Sequence, residues 1–225
     1  MYSFYTGLFW AFAYFALQQL LSLFNVPFDS VLVIAAELLY WTALFLHLRR
    51  KKLLTEYGIR LPELERTCSA VILLIIPIWQ CILYGLPAAS IREWMLLLLA
   101  AMAEEMAFRV LLPKLLTEQI HISAGTSAVL SSLVFALFHG VDLFSGVSLP
   151  VVLLQMLYAF CAGCAFCMMV KRTKSVLPPI ILHTLINLTA GNQSADVLLS
   201  LIFSALLAGY AIYISHNTQE GTTYL

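Results

Sequence analysis

The chain alternates between long apolar stretches and short polar connections, and this alternation predicts its organisation. A helix that crosses a bilayer needs about 20 mainly apolar residues. On that criterion the sequence predicts an all-α fold, a polytopic membrane bundle with about eight transmembrane helices. The predicted spans are Tyr2–Phe24, Ser30–Leu48, Cys68–Leu86, Ile91–Leu116, Ala124–Val141, Val147–Val170, Val176–Ala190 and Ala195–Ser215.

The composition supports this interpretation. Of the 225 residues, 62% are hydrophobic and only 11% are charged, whereas globular domains have about 45–50% apolar and about 25% charged residues. Since so few polar side chains cannot cover a water-facing surface, most of the surface must face lipid. We expect a single integral membrane domain over residues 1–225.

The charges give an orientation. Basic residues collect in cytoplasmic loops, and a cytoplasmic N-terminus places ten of the twelve Lys and Arg residues on that side. These ten are Arg49, Arg50, Lys51, Lys52, Arg60, Arg66, Lys114, Lys171, Arg172 and Lys174. The sequence therefore predicts a multi-pass protein of the cell membrane with both termini in the cytoplasm. The net charge of zero predicts no nucleic-acid partner, and membrane lipids are the expected surroundings.

Six polar residues inside the predicted spans are candidates for chemistry. An Asp, Lys or Arg at the centre of a span costs about 2.5–3.5 kcal/mol on insertion scales, so such groups normally face a bundle interior or a wet cavity. A single one is as well explained by a polar contact between helices, but six favour an active site. They are Glu104, Glu105 and Arg109 in the fourth span, His139 in the fifth, and His183 with Asn187 in the seventh.

Helical geometry predicts how these groups are arranged. Glu105 and Arg109 are four residues apart, so they share a helix face and can form an ion pair. Glu104 is turned by about 100° around the axis, which makes it the freer carboxylate and the better general base. His183 and Asn187 also share a face. Together with Glu104 and His139, these two residues supply the groups that peptide hydrolysis needs. Glu104 and His139 could activate a water, and His183 and Asn187 could donate hydrogen bonds to the oxyanion.

Three motifs in the second half of the chain match those of a known family. Glu104–Arg109 fits the pattern EExxxR, Phe135–His139 fits FxxxH, and His183–Asn187 fits HxxxN, in that order on separate predicted helices. Together they resemble the CAAX-protease and bacteriocin-processing (CPBP, or Abi) family of intramembrane glutamic endopeptidases, which includes the type II CAAX prenyl protease. The resemblance places the family core at about residues 91–190.

The resemblance implies an activity and residue roles. The activity is hydrolysis of a peptide bond in a membrane-associated protein or peptide, and a prenylated protein, a peptide pheromone or a bacteriocin precursor would each fit as substrate. The implied catalytic residues are Glu104, His139, His183 and Asn187, and the implied supporting residues are Glu105, Arg109 and Phe135.

Other functions remain open at this stage. Some relatives are known mainly as bacteriocin-immunity proteins, so a non-enzymatic immunity or scaffold protein is an alternative. Intramembrane Glu and His residues also occur in proton-coupled transporters. Two histidines and a carboxylate can hold zinc, which would make the chain a zinc-dependent membrane metalloprotease. The HExxH spacing of helical zinc sites is absent, so we predict no metal ligands and no cofactor, with zinc as the alternative.

Two further features have plainer explanations. Cys161, Cys164 and Cys167 form a CxxCxxC run among small residues of an apolar segment, which is typical of helix–helix contacts. Glu37 is an isolated acid in the second span, and either a hydrogen-bonded structural role or a place on a substrate channel would explain it.

One difficulty concerns the distance between the two histidines. With straight helices, His139 lies near the outer end of its span and His183 near the cytoplasmic start of its own. Their convergence requires tilted or re-entrant helices, and Pro178-Pro179, Gly140 and Gly146 mark where the irregularity is expected.

Overall fold

The architecture is helical throughout the part of the chain that can be described. The computed structural model describes residues 5, 9–10, 13–14, 16–17, 24, 30–144, 146–190 and 196–217, and no strand occurs among them. The α-helices are α1 Val31–Arg50, α2 Leu64–Val71, α3 Ile75–Tyr84, α4 Ile91–Glu105, α5 Leu112–Glu118, α6 Ala124–Phe138, α7 Leu149–Thr173, α8 Leu177–Thr189 and α9 Val197–Asn217. The predicted all-α class is therefore confirmed.

Three shorter segments connect some of these helices without a break. The 3-10 turn Ile72–Leu74 joins α2 to α3, and the π-helix Met106–Leu111 joins α4 to α5. A second 3-10 turn, His139–Leu143, continues α6. Because of these connections, the chain forms fewer and longer continuous helical segments than the number of α-helices suggests.

Four helical stretches are long and apolar enough to cross a membrane: α1, Glu65–Tyr84, α7 and α9. Helices α6 and α8 are also apolar but have 15 and 13 residues, which is about 22 and 20 Å of helix against a hydrocarbon core of about 30 Å. A multi-pass membrane protein is confirmed, whereas the count of eight spans is not. The first predicted span, Tyr2–Phe24, lies largely outside the described residues, although its described positions between 5 and 17 are helical.

Serine caps define where several helices begin. Ser90 Oγ accepts the Glu93 N–H, and the Glu93 carboxylate accepts the Ser90 N–H, which is a capping box at the start of α4. Ser30 and Ser123 cap α1 and α6 in the same way through their side-chain oxygens. The capping box at Ser90 fixes the starting point of the helix that carries both glutamates.

Helix α7 is the centre of the bundle. Half of its most apolar 18-residue window is buried, against 22% for α1 and 39% for α9. Gly163 permits its close contact with α6, since a Cβ at this position would lie 2.7 Å from Ser132 Cβ. Cys161 and Cys167 are buried on the same helix, in the packing role that the sequence predicts for them.

Several loops and helix ends carrying basic residues meet at one end of the bundle, called here the basic end. Lys114 of α5 lies 2.6 Å from Glu56 Oε1. Arg60 Nε donates to the Lys174 carbonyl at 2.7 Å, and Ser175 Oγ donates to the Arg60 carbonyl at 2.6 Å. This grouping agrees with the predicted topology, while the cytoplasmic placement of this end stays a prediction.

Glu37 is hydrogen-bonded and buried. Its side chain accepts from Tyr14 Oη at 2.9 Å and from Trp41 Nε1 at 3.2 Å, and the residue is 4% exposed. Both carboxylate oxygens thus have donors, as a buried acid requires. These contacts favour the structural of the two roles that the sequence left open.

Candidate active site

The two glutamates stand directly before an irregular stretch of their helix. Pro113 has no N–H to offer the preceding turn, and its ring clashes with the carbonyl four residues earlier. The chain accommodates Pro113 by widening into the π-helix Met106–Leu111, in which the Leu112 N–H donates to the Ala107 carbonyl. The wider turn changes the directions in which side chains leave the helix at the point where α4 ends.

The π-helix leaves one carbonyl without a backbone partner, and another helix supplies the donor. The Phe108 carbonyl would pair with residue 113, which is the proline. Instead, Ser131 Oγ of α6 donates a short hydrogen bond to this oxygen, and Cys167 Sγ of α7 lies 3.9 Å from it. Since an unpaired buried carbonyl costs about 1–3 kcal/mol, these contacts hold the π-helix in place.

Glu105 and Arg109 form the ion pair that their spacing predicts. Arg109 Nε lies 3.0 Å from Glu105 Oε2, and both side chains are fully buried. The guanidinium carbon lies 4.2 Å from the ring centre of Phe135 and 5.7 Å from that of Phe166. No guanidinium nitrogen has hydrogen-bond geometry to a described residue. The charge is therefore balanced by one carboxylate and two aromatic faces.

His183 stands between the two glutamates. Its Nδ1 lies 2.8 Å from Glu105 Oε1, and its Nε2 lies 3.7 Å from Glu104 Oε2. Glu105 therefore serves two partners, Arg109 through one oxygen and His183 through the other. The sequence indicated the first contact but not the second, because the second joins residues 78 positions apart.

Aromatic rings hold the two histidines near one another. The Phe135 ring centre lies 4.9 Å from that of His139 and 6.4 Å from that of His183. Phe166 of α7 contacts His183 from another side at 5.8 Å. Phe135 is thus shared by both histidines and by Arg109, which accounts for an aromatic residue one turn before His139.

These groups border one open cavity of about 410 Å³. Its walls include Phe135, His139, His183 and Asn187, contributed by α6, the following 3-10 turn and α8. Glu104 is not among the side chains that line it. Its side chain is 40% exposed and adjoins the cavity through its neighbour His183.

The convergence of the histidines has a simple cause. Helix α6 ends at Phe138, and His139 begins the 3-10 turn. Pro178 and Pro179 lie in the first turn of α8, where proline is tolerated, so they begin a helix instead of bending one. Because α6 and α8 are both short, the end of one and the middle of the other border the same cavity.

Direct contact is not present between every pair of predicted site residues. The ion pairs of the described residues join both glutamates to His183 and neither to His139. His139 Nδ1 instead lies 3.0 Å from the Phe135 carbonyl. The neutral tautomer that fits this contact carries its proton on Nδ1 and has a lone pair on Nε2. Within the described residues, no three His, Cys, Asp or Glu side chains are placed to hold a metal ion.

The cavity also has polar walls that the motifs do not include. Asp142, Gln155, Tyr158 and Ser200 line it, and Gln155 and Tyr158 lie among apolar residues in the first half of α7. A polar residue in an apolar span is a sequence signal that would have identified Gln155. Phe166 has no such signal, since a phenylalanine in an apolar helix is expected everywhere.

Comparison with known proteins adds the family. The family model of type II CAAX prenyl endopeptidases, Rce1-like, matches residues 71–189. The chain belongs to this family. Comparison with curated proteins and with solved structures gives no match.

Membership in the Rce1-like family makes the chain a membrane protease of the CAAX type in general terms. Its substrate is accordingly a protein or peptide at a membrane. The matched stretch contains all three motifs and, apart from Ser200, the side chains named above around the cavity.

Proposed function

We propose that the chain is an endopeptidase of the CAAX prenyl protease type that hydrolyses its substrate with a water activated by Glu104 and His139. The observation that supports this most directly is the position of His183. It contacts both glutamates and shares a cavity wall with His139 and Asn187.

Water activation requires a base that is near the cavity and not already neutralised. Glu105 is committed to Arg109 and His183, whereas Glu104 is partly exposed and its one ion pair among the described residues is the 3.7 Å contact with His183. Two groups that share one water lie about 5–6 Å apart, which is twice a hydrogen-bond length. A direct Glu104–His139 ion pair would leave no room for this water, and none occurs among the described residues.

The reaction then proceeds through a tetrahedral intermediate. The water oxygen attacks the substrate carbonyl carbon while Glu104 or His139 takes the proton. In its doubly protonated form, His183 donates through Nδ1 to Glu105 and through Nε2 to the oxyanion, and the Asn187 amide supplies a second donor. When the C–N bond breaks, the proton passes from the base to the leaving amine.

The proposal is tested with the purified chain in liposomes and a peptide that carries a farnesylated cysteine four residues from its C-terminus. Loss of a general base lowers kcat by about 10²–10⁴, so we expect that loss for Glu104→Gln and for His139→Gln. Loss of one oxyanion donor costs about 10²–10³, which is the expectation for Asn187→Ala.

The matched control is Glu118→Gln. Glu118 is a glutamate at the far end of the same continuous helix, 45% exposed and 3.5 Å from Lys114, and its replacement should leave turnover unchanged. Wild-type turnover in both the Glu104 and the His139 variants would contradict the mechanism.

Two further experiments test which substrate is cleaved and whether a metal is needed. Mass spectrometry of membrane-associated peptides, in cells with the wild-type chain or the Glu104→Gln variant, identifies products without prior choice of a peptide. Full activity after dialysis against a chelator is the expected result. Loss of activity that returns with zinc would instead support the zinc-dependent alternative.

A further inference from the structure

One acidic side chain on the cavity wall has no part in the proposed mechanism. Asp142 lies in the 3-10 turn His139–Leu143 and lines the cavity. Its backbone carbonyl accepts the Val147 N–H at 3.2 Å. Among the described residues, no hydrogen bond or ion pair involves its carboxylate. A carboxylate that borders a cavity without a protein partner can bind a group of the substrate.

The 3-10 turn sets the distance between Asp142 and His139. A 3-10 helix has three residues per turn and a rise of about 2 Å per residue, so side chains three positions apart eclipse, about 6 Å apart along the axis. His139 and Asp142 have this spacing, and both line the cavity. An extended peptide advances about 3.3 Å per residue. With the reacting bond at His139, as proposed above, the second residue on one side of that bond lies at Asp142.

The charges around the cavity do not cancel. Arg109 pairs with Glu105, and His183 contacts both glutamates. With His183 doubly protonated, as the proposed mechanism requires, these two cations balance the two glutamates, and Asp142 adds one negative charge. No Lys or Arg is among the described residues that line the cavity, and its walls are largely apolar. Since charges between apolar walls attract more strongly than in bulk water, the cavity favours a cation on the substrate.

We propose that Asp142 is a specificity-determining residue, which binds a Lys or Arg side chain at the second residue on one side of the cleaved bond. This inference rests on the proposed function, because it places the substrate in the same cavity. A carboxylate forms charge-assisted hydrogen bonds with an ammonium or guanidinium group, and the apolar stems of Lys and Arg suit apolar walls. A glutamine at that position would lack the ion pair, and a glutamate would be repelled.

The test measures binding of fluorescent peptides to the purified chain in micelles of a neutral detergent, by anisotropy. The chain carries Glu104→Gln, so the result does not depend on cleavage. Each peptide has a farnesylated cysteine four residues from its C-terminus. It carries Lys, Gln or Glu either immediately before the cysteine or at the second residue after it, which are the second positions on either side of the bond that follows the cysteine.

At one of these two positions we expect the Lys peptide to bind about tenfold more tightly than the Gln peptide, and the Glu peptide to bind more weakly than both. An exposed ion pair contributes up to about fivefold. The larger value is expected because the cavity walls exclude part of the water that would screen the pair.

Two substitutions at position 142, made in the same Glu104→Gln chain, test the residue itself. In Asp142→Asn the affinity ratio of the Lys peptide to the Gln peptide should fall to within about twofold of one, and in Asp142→Lys the Glu peptide should become the tightest binder. The matched control is Asp196→Asn. Asp196 is an exposed acid that accepts the Leu199 N–H at 2.9 Å and is not among the cavity's lining residues, so the ratio should change by less than about twofold.

Each ratio compares two peptides on one variant, so a general loss of folding does not imitate the expected result. No preference for Lys at either position, an unchanged ratio in Asp142→Asn, or an equal loss in Asp196→Asn would overturn the inference. A ratio of one in the Glu104→Gln chain, beside intact cleavage by the wild type, would reject this inference alone. A preference for Lys without any cleavage by the wild type would support the role of Asp142 and count against the proposed function.

Discussion

Glu105 is the residue whose replacement tests the packing of the site most sharply, because it neutralises Arg109 and also orients His183. In Glu105→Gln the shape is kept and the amide oxygen can still accept from His183 Nδ1, but the carboxylate charge is lost. Arg109 is then a fully buried cation with no carboxylate. Removing one partner of a buried pair costs about 3–5 kcal/mol.

The aromatic rings reduce this cost. The Arg109 guanidinium carbon lies 4.2 Å from the Phe135 ring centre, and a desolvated cation–π contact contributes about 2 kcal/mol. That contact remains in the variant, so we expect a loss near the lower end of the range, about 3 kcal/mol. Replacing both partners, as Glu105→Gln/Arg109→Met, removes the uncompensated charge and keeps an unbranched side chain against the rings.

The measurement is the free energy of unfolding in detergent micelles, from titration with sodium dodecyl sulfate, for the wild type, both single variants and the double variant. We expect the double variant to recover at least about 2 kcal/mol relative to Glu105→Gln, since apolar replacements of buried pairs are often neutral or stabilising. If Glu105→Gln is as stable as the wild type, or if the double variant is less stable than Glu105→Gln, the pair does not balance a buried charge.

Two further predictions concern helix packing, with the same unfolding measurement. Ser131→Ala leaves the Phe108 carbonyl of the π-helix without its hydroxyl donor and should cost about 1–3 kcal/mol. Ser132→Ala, whose hydroxyl bonds only within its own helix and weakly to sulfur, should cost less, and equal costs would contradict the assigned role. Gly163→Ala places a Cβ 2.7 Å from Ser132 Cβ and should cost about 1–3 kcal/mol. Gly209→Ala meets no atom within 4 Å and should be neutral or stabilising; the reverse order would refute the close contact.

Local sequence patterns predicted those parts of the structure that depend on local spacing. The i,i+4 rule placed Glu105 beside Arg109, and apolar length identified the helices that are long enough to span a membrane. Phe135 and His139 are also four residues apart, and their ring centres lie 4.9 Å from each other.

The features that the sequence did not predict depend on where helices end and on contacts between distant parts of the chain. Ile91–Leu116 reads as one regular span, yet Pro113 converts six of its residues into a π-helix. The apparent mismatch in depth between His139 and His183 came from treating α6 and α8 as full spans. The bond between Glu105 and His183 joins distant parts of the chain, and no periodicity within either helix indicates it.

The π-helix Met106–Leu111 lies in the middle of the continuous helix from Ile91 to Glu118. It changes the direction in which side chains after it point, relative to those before it. Deleting one residue within it would rotate everything downstream by about 100°. Lys114 would then turn away from Glu56, while the glutamates upstream kept their directions. The extra residue therefore sets the angle between the part of this helix whose glutamates contact His183 and the part whose Lys114 contacts Glu56 in the loop at the basic end.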